Sequence, residues 1–519
     1  MNLVAEKEFI FSRLTDILYR SNSGVALLGI DEYFNAAWNV ITVTGRQQKI
    51  KYIIDFDGSP LLGQKFQNYR VESLNAVNFN EVDTIIVLPK NNNYRIANSL
   101  RQTLKNLPKE IKVAGLFSDY TSEDYKEYVE YCEKAVLKSK DDFVDFNSED
   151  FIPNENDTKV IAYYLPQFHQ MEINNKYHGQ GFTEWTNTSR AIPLFVGHYQ
   201  PHIPYDVGYY DLKNPEAMKR QIYLAKHYGV HGFCFYYYWF SGKKLMEEPL
   251  KMLYKHKEWN MPFCLMWANE NWTSKWDGSN KQIIQEQTLN ADDDEKFMKD
   301  VLPYMKDDRY IKVNGKPVLA VYKCAIFPKE RFCLMINNFR NIAKKHGFPD
   351  LCVMVTNYCL EEDVTSWSAD SLVEYHPHGM NKFLPQVIPK GYLNSNFVGK
   401  IFDTDTYIAD KKYLQPHAII GGGGQLVRSA LTQWDNTARR STLGSWTYWG
   451  LTPKTYKTWL KDIILESKVI HKDNKDFDMV FVNSWNEWAE GSHLEPDCRY
   501  GYAYLQATRE ALEETRRSK

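Results

Sequence analysis

The stretch that decides the fold runs from Met479 to Gly491 and reads MVFVNSWNEWAEG. Its first four residues form an apolar run, which predicts a buried strand of a parallel sheet. Two glutamates, Glu487 and Glu490, follow directly among tryptophans. Residues three apart come within about 5–6 Å (Cβ to Cβ) where the chain turns into a helical start. If the chain turns after Glu487, both carboxylates face one pocket at the C-terminal end of the strand.

Strand-like runs recur from residue 159 onward, with helical segments between them. They precede the final run at 160–164, 232–238, 262–267, 317–322, 352–355, 371–375 and in the region 425–434. Together with the last run they make eight strands over about 350 residues, which predicts an α/β fold of the (β/α)8 TIM-barrel type. Enzymes with this fold carry their chemistry at the C-terminal strand ends, and the polar and aromatic residues of this chain cluster there.

Residues 1–140 predict a smaller preceding domain. Strand-like runs at 24–30, 52–55, 84–88 and 111–116 alternate with helical segments, which is typical of a Rossmann-like, doubly wound sheet. The turn after the first strand has one glycine and acidic residues where a dinucleotide would need bare backbone amides. We therefore expect no cofactor there and a docking or scaffold role. The acidic stretch 141–157 predicts a solvated linker, which assigns 158–519 to the barrel.

Composition narrows the class of protein. A net charge of −2 over 519 residues lacks the basic signature of a nucleic-acid-binding protein. The eight cysteines are scattered without a CxxC motif, as expected for reduced thiols in the cytoplasm. We find no apolar run of about 18 residues that would predict a transmembrane helix, and no apolar signal-peptide core near Met1. These observations predict a cytoplasmic protein.

Aromatic residues beside amides and carboxylates follow several predicted strands. Rings stack on the CH faces of sugars, and polar side chains bind the hydroxyl groups. The candidate substrate-binding residues are Glu184, Trp185, Tyr237, Trp239, Trp267, Asn269, Glu270, Trp272, His376, Trp485 and Trp488. Structural ion pairs for Glu184 or Glu270, and a structural role for His376, stay open as alternatives. The histidines lack the spacing of a metal site, so no metal is expected.

Several of these motifs together carry a family resemblance. They are YLPQFH at 164–169, GQGFTEWTN at 179–187, GFCFYYYWF at 232–240, WANENWT at 267–273 and WNEWAEG at 485–491 with LEP at 494–496. In this order they resemble the WbsX-like family of bacterial polysaccharide loci, which is similar to glycoside hydrolase family 99 of the endo-α-mannosidases. The resemblance covers residues 159–505 and leaves the N-terminal domain outside it.

The resemblance implies a retaining mechanism with assistance from the substrate's own 2-hydroxyl group. Glu487 would act as the base on that hydroxyl, and Glu490 as the acid and then the base at the leaving oxygen. Ala489 stands where family 99 usually has a histidine, which puts one substrate contact in doubt. We expect Trp485 and Trp488 to form an apolar shell that raises the pKa of Glu490 towards about 6–7.

The implied function is cleavage or transfer of an α-linked glycoside in O-antigen or capsule metabolism. The expected partner is an oligosaccharide or polysaccharide, and any association with a polysaccharide-assembly complex would be peripheral. Two alternatives stay open: a glycosyltransferase that uses a sugar nucleotide, and a non-catalytic glycan-binding scaffold. A nucleotide-sugar site would distinguish the first alternative, and dispensable glutamates at 487 and 490 the second.

Overall fold

The computed structural model describes residues 3–90, 93–117, 142–273, 283–288, 290, 292–357, 363–389, 393–394, 397–415, 424–440 and 444–517. The predicted boundary at residue 140 lies outside these described residues. The chain divides into two compact units. The first comprises residues 1–134, 192–199 and 388–399, and the second comprises 135–191, 200–387 and 400–519.

The first unit contains a six-stranded sheet. Its strands are β1 (Val25–Leu28), β2 (Ile50–Ile54), β3 (Lys65–Phe66), β4 (Tyr69–Glu72), β5 (Thr84–Val87) and β6 (Lys112–Gly115). Their order is β3-β4-β2-β1-β5-β6, and all neighbours are parallel except the hairpin of β3 and β4. Its helices are α1 (Leu3–Arg20), α2 (Glu32–Val43) and α3 (Asn93–Leu104). The sheet confirms the predicted doubly wound domain, whose hairpin the sequence reading missed.

Alternate residues of β1 supply the two hydrophobic cores of this sheet. Val25 and Leu27 pack in one core with residues of α1 and α2. Ala26 and Leu28 pack in the other with residues of α3. Because successive side chains of a strand point to opposite faces, an apolar run can serve both layers at once.

The second unit is built on a closed parallel barrel. Its strands are β7 (Lys159–Tyr164), β8 (Val230–Phe240), β9 (Phe263–Trp267), β10 (Lys316–Val321), β11 (Cys352–Thr356), β12 (Ser371–Val373), β13 (Gln425–Val427), β14 (Ser429–Leu431) and β15 (Met479–Asn483). Each pairs in parallel with its neighbours, in the ladder order β13-β12-β11-β10-β9-β8-β7-β15-β14. This arrangement confirms the predicted TIM-type barrel.

The two strands β13 and β14 are halves of the seventh barrel strand, interrupted at Arg428. The first half pairs with β12 and the second with β15, so together they close the barrel. The Arg428 guanidinium is buried and lies 2.7 Å from a carboxylate oxygen of Glu374 and 2.7 Å from one of Glu466. These ion pairs satisfy a charge that burial would otherwise strongly disfavour.

Helices and short strands surround the barrel. The helices are α4 (Glu172–His178), α5 (Glu184–Arg190), α6 (Pro215–His227), α7 (Glu248–Lys255), α8 (Asp293–Met305), α9 (Lys329–Lys345), α10 (Asp405–Ala409), α11 (Thr437–Arg440), α12 (Pro453–Ile470) and α13 (Ala503–Arg517). The short strands are Lys243–Leu245, Trp272–Thr273, Ile283–Gln285, Lys312–Val313, Gln386–Val387, Lys400–Asp403, Trp446–Trp449, Asn486–Glu487 and Ser492–His493.

Residues 142–157, expected to form a solvated linker, pack within the second unit. The backbone N–H of Val144 donates to Tyr500, and its carbonyl accepts from Tyr502. The ring of Phe146 stacks on His227 with a centroid distance of 4.8 Å. The acidic pattern indicated solvent, but the apolar residues between the charges anchor the stretch to the barrel unit.

Candidate active site

A cavity of about 320 Å³ opens at the C-terminal ends of the barrel strands. Its lining mixes charges of both signs with aromatic rings. The charged residues are Glu270, Lys323, Arg439, Arg440, Glu487 and Glu490, and the rings are Tyr236, Tyr238, Trp272, Tyr322, Tyr375, His378 and Trp434. Rings, carboxylates and donors in one concave site are the groups that bind and process a sugar.

The turn after β15 brings the two glutamates predicted as catalytic into this cavity. Residues Asn486–Glu487 pair with Ser492–His493 as a short antiparallel ladder, and the 3-10 helix Trp488–Glu490 forms the bend between them. Gly491 ends that helix with a φ of +65°, a conformation that favours glycine. A Cβ atom there would also lie 3.2 Å from the backbone nitrogen of Asp435. The tight turn therefore depends on glycine.

Arg439 joins three carboxylates in this site. Its guanidinium lies 3.1 Å from an oxygen of Glu184, 2.7 Å from Glu487 and 2.5 Å from Glu490. Glu184 was predicted as a substrate contact, but its side chain is fully buried and faces the arginine. One guanidinium with its planar fork of donors thus holds Glu487 and Glu490 close together.

The electrostatics of the cluster favour a protonated carboxyl group. Burial raises the pKa of Glu487 to about 8, opposed by Arg439 and reinforced by Glu490 and Glu184. Burial also raises the pKa of Glu184, again opposed by Arg439. Glu487 therefore holds a proton at neutral pH. The sequence reading had assigned the raised pKa to Glu490.

A row of hydroxyl groups forms another part of the lining. The hydroxyls of Tyr236 and Tyr375 are 2.7 Å apart, and the Tyr322 hydroxyl lies 3.1 Å from Nε2 of His378. Burial lowers the pKa of His378 to about 3, so its ring is neutral at physiological pH. Neutral imidazole and phenol groups both donate and accept hydrogen bonds, as recognition of sugar hydroxyls requires.

Two predicted contacts, Glu270 and Trp272, line the cavity. Glu270 is paired with Lys323, and its side chain is 45% exposed. The Trp272 ring packs edge-on against Tyr238, with a centroid distance of 5.1 Å. The ion pair that stayed open for Glu270 is present, and it lies within the cavity lining.

Tyr237, Trp239 and Trp267, also predicted as contacts, face the helical layer instead. The Trp239 indole donates to Asp300 at 2.8 Å, and Trp267 packs on Phe297 with a centroid distance of 4.7 Å. Strand side chains alternate between faces, so the neighbours Tyr236 and Tyr238 point into the cavity. An apolar strand without polar alternation gave no signal for this choice of face.

The remaining predicted contacts support the site from behind. Asn269 bridges to Lys323 with hydrogen bonds of 2.7 and 2.8 Å to its backbone. The Trp185 indole donates to the carbonyl of Tyr210 at 2.7 Å. His376 is buried, with its ring 4.8 Å from that of Trp459, whereas His378 lines the cavity.

Trp485 and Trp488 do not form the expected apolar shell around Glu490. Both indoles are buried and donate to the carboxylate of Glu495, at 3.1 and 2.7 Å. The sequence reading also left out Arg439 as a site residue, although the arginine pair at 439–440 follows the seventh strand. The contacts of Arg439 with Glu487 and Glu490 join distant parts of the sequence, so only the folded structure reveals them.

The choice of face on β8 predicts a difference between two adjacent tyrosines. We expect Tyr238→Phe to weaken glycan binding by roughly 2- to 10-fold, because it removes a hydroxyl from the cavity lining. The matched change Tyr237→Phe removes a hydroxyl from the helical side and leaves the dissociation constant unchanged. Titration calorimetry with one oligosaccharide on both variants makes the comparison. Equal effects would contradict the assigned orientation.

Comparison with known proteins places the chain in a family. The family model described as glycosyltransferase WbsX matches residues 160–508. The chain belongs to the WbsX family. The WbsX segment contains every described residue of the cavity lining as well as Glu184.

Two curated proteins are similar in sequence to this WbsX chain. The protein WxcX from Xanthomonas campestris pv. campestris strain B100 is 36% identical over 364 residues, which is 70% of this chain and 50% of the relative. WxcX from strain ATCC 33913 of the same pathovar matches with the same identity and coverage. The chain thus spans about half the length of these curated relatives.

Two solved structures align with this WbsX chain at low sequence identity. The family 99 endo-alpha-mannosidase of Bacteroides thetaiotaomicron aligns with 14% identity and a TM-score of 0.43, over 70% of this chain and 98% of that one. A glycoside hydrolase-like protein aligns with 12% identity and a TM-score of 0.41, over 72% and 98%. Within the part of the chain that the structure describes, no helix is long and apolar enough to cross a membrane.

Proposed function

We propose that this chain is a carbohydrate-active enzyme of cell-surface polysaccharide metabolism, which cleaves or transfers an α-linked glycoside with retention of configuration. One observation carries the proposal: Glu487 and Glu490 bind the same guanidinium inside a cavity lined by aromatic rings. Two carboxyl groups on one guanidinium supply the two proton-transfer groups that a 2-hydroxyl-assisted reaction needs.

The reaction we propose runs in two steps. The 2-hydroxyl of the sugar attacks C1 while one carboxylate accepts its proton, and the other carboxyl group protonates the departing glycosidic oxygen. Water or an acceptor hydroxyl then opens the 1,2-anhydro ring at C1. The second carboxylate takes the proton of that nucleophile, and the first carboxyl group returns its proton to the 2-oxygen. Two inversions at C1 give net retention. The family pattern assigns the first role to Glu487 and the second to Glu490.

The raised pKa of Glu487 supports acid–base chemistry by this pair. A pair in which one member is protonated and one is ionised is what such a reaction needs at neutral pH. The raised pKa of Glu487 favours it as the proton holder before substrate binds. If Glu487 is the base and Glu490 the acid, as the family pattern has it, the proton must pass to Glu490 when the sugar binds. If the two roles are exchanged, no such transfer is needed.

The fate of the glycosyl group separates hydrolysis from transfer. The family description favours a second candidate, a glycosyltransferase that uses a sugar nucleotide. Such an enzyme would bind a nucleoside diphosphate sugar with high affinity. A retaining glycosidase would act on the glycan alone and pass the sugar to water or to an acceptor hydroxyl. In both cases the expected partner is an oligosaccharide or polysaccharide.

Proton NMR of the purified protein with pooled α-linked manno- and gluco-oligosaccharides tests the proposal. Appearance of an α-anomeric reducing end, absent with Glu490→Gln, is the expected result. The control is Glu330→Gln, an exposed position at the start of α9. A β-anomeric first product would refute retention. No turnover, combined with binding of a nucleotide sugar in calorimetry, would favour the second candidate instead.

The protonated pair also predicts a pH dependence. We expect kcat/KM to fall as the pH rises through about 8, because the proton held by the raised pKa of Glu487 is lost there. The sign follows from the direction of the shift: a carboxyl group with a raised pKa keeps its proton below that value. A pH–rate profile from 5 to 10 measures it. A flat profile between 7 and 9 would contradict this role of the pair.

A further inference from the structure

We propose that Glu495 is a positioning residue that holds the catalytic loop, defined as residues 484–491, in its reactive geometry. This inference rests on the proposed function, because it assigns a role toward Glu487 and Glu490. Glu495 lies outside the cavity lining and touches no group that would react. Its position was part of a family motif in the sequence, but nothing in the proposed reaction uses it.

Four donors converge on the buried Glu495 carboxylate. One oxygen, Oε1, accepts from Nε2 of Gln221 at 2.7 Å and from the indole of Trp485 at 3.1 Å. The other, Oε2, accepts from the hydroxyl of Tyr210 at 2.8 Å and from the indole of Trp488 at 2.7 Å. Each donor is itself buried, so each needs a protein acceptor, and the Glu495 carboxylate supplies one to all four.

These donors bracket the first catalytic glutamate. Trp485 and Trp488 stand on either side of the dipeptide Asn486-Glu487, and both are fixed through Glu495. Tyr210 extends the fixation, since its hydroxyl also accepts from Nδ2 of Asn486 at 3.2 Å. The same Asn486 side chain is tied to the backbone of Leu165 at 2.8 and 3.0 Å. Glu495 thus fixes both flanks of Glu487.

The return strand of the loop is held at the same place. The backbone carbonyl of Glu495 lies 2.9 Å from Nδ1 of His493, whose ring stacks on Trp488 at a centroid distance of 3.8 Å. Burial raises the pKa of Glu495 to about 7, opposed by hydrogen bonds from Trp488, Gln221, Tyr210 and Trp485. A carboxylate is costly at so buried a position, and its four donors offset that cost.

An amide cannot replace this carboxylate. An indole N–H only donates, so it needs an acceptor opposite it, whereas a tyrosine hydroxyl can turn and accept. The Gln221 amide cannot reverse freely, because its oxygen already accepts from the Tyr164 hydroxyl at 2.7 Å. In Glu495→Gln the new NH2 group should therefore face Tyr210 and Trp488. The Trp488 indole would then lose its acceptor.

Indole NMR and kinetics on the full chain test this proposal. In ¹H–¹⁵N spectra of Glu495→Gln we expect the Trp488 indole signal to move upfield and exchange faster, with the Trp485 signal little changed. We expect kcat to fall about 10- to 100-fold with KM within about twofold, since small misplacements of reacting groups carry such penalties. Adding Trp488→Phe removes the unsatisfied donor, so the double variant should recover part of kcat.

Each outcome decides the inference. Loss of folded protein with unchanged kcat per folded molecule, or no recovery in the double variant, would reduce Glu495 to a structural residue. If Glu495→Gln does not fold, Trp488→Phe in the native background gives the second measurement: it should lower kcat while leaving the Trp485 indole signal in place. If the native chain turns over no glycoside, the proposed function fails, whereas the indole signals still decide whether the Glu495 carboxylate holds Trp488.

Discussion

Replacing Glu490 by glutamine is expected to lower turnover of an unactivated α-glycoside by about 10²- to 10⁴-fold, the usual contribution of a positioned acid or base. Glutamine keeps the shape of the side chain and a hydrogen-bonding oxygen but cannot transfer a proton. Glu490 contacts Arg439 through an oxygen at 2.5 Å, so the amide oxygen can preserve that contact. The loss should therefore appear in kcat, with glycan affinity within about threefold of the native value.

The leaving group then identifies which carboxyl group is the acid. An aryl glycoside with a strongly acidic phenol departs without protonation, so the acid variant should regain most of its rate on that substrate. If Glu490 is the acid, Glu490→Gln shows this recovery and Glu487→Gln does not. The reverse pattern would match the raised pKa of Glu487. Full activity of both variants on both substrates would exclude this pair as the acid and base, whereas no turnover by the native chain together with unchanged glycan binding in both variants would leave a glycan-binding scaffold as the function.

The architecture of the chain followed from local signals. Apolar runs such as 479–483 are buried on both faces, and parallel strands covered by helices have no polar alternation to obscure them. The split of the seventh strand at Arg428 had no such signal, because it depends on Glu374 and Glu466 from distant parts of the chain. Likewise, the acidic composition of 142–157 concealed the packing of Phe146 and Phe151.

The candidate site was predictable where chemistry is local in sequence. Glu487 and Glu490 lie three residues apart, and their turn brings both into the cavity. The orientation of Trp485 and Trp488 was not predictable, because both indoles donate to Glu495 and neither residue is part of the cavity lining. The sequence identifies an aromatic residue, but its hydrogen-bond partner in the fold determines whether the ring lines the cavity or packs outside it.

Arg439 carries the second large expectation. Arg439→Met leaves Glu184, Glu487 and Glu490 in a buried cluster without their cation. Removal of one member of a buried ion-pair network costs about 3–5 kcal/mol, so we expect a loss of that order in the free energy of unfolding at pH 7. Arg439→Lys should recover only part of it, since a point charge cannot reproduce three contacts from a planar fork.

The pH dependence of that loss tests its electrostatic origin. Arg439 lowers the pKa of Glu487, so its removal raises that pKa further above about 8. A carboxyl group whose pKa is raised in the folded state contributes most stability at low pH and loses it as the pH rises through the folded value. The deficit of Arg439→Met should therefore be smaller at pH 5 than at pH 9, and the alkaline limb of kcat/KM should move to higher pH.

A compensating change separates charge from packing. Glu184→Gln removes one carboxylate from the cluster, so in the Arg439→Met background it should restore stability, whereas in the native background it should cost stability. Urea unfolding of the native chain, Arg439→Met, Glu184→Gln and the double variant, at pH 5 and pH 9, gives the coupling free energy between positions 439 and 184. Arg440→Met is the matched control, because its neighbouring guanidinium lies 3.4 Å from a backbone carbonyl of Gly444 and reaches none of the three glutamates in the described contacts. A stability loss in Arg439→Met that is independent of pH and unaffected by Glu184→Gln would mean that Arg439 acts through its volume and not its charge. The raised pKa of Glu487 would then be due to burial alone.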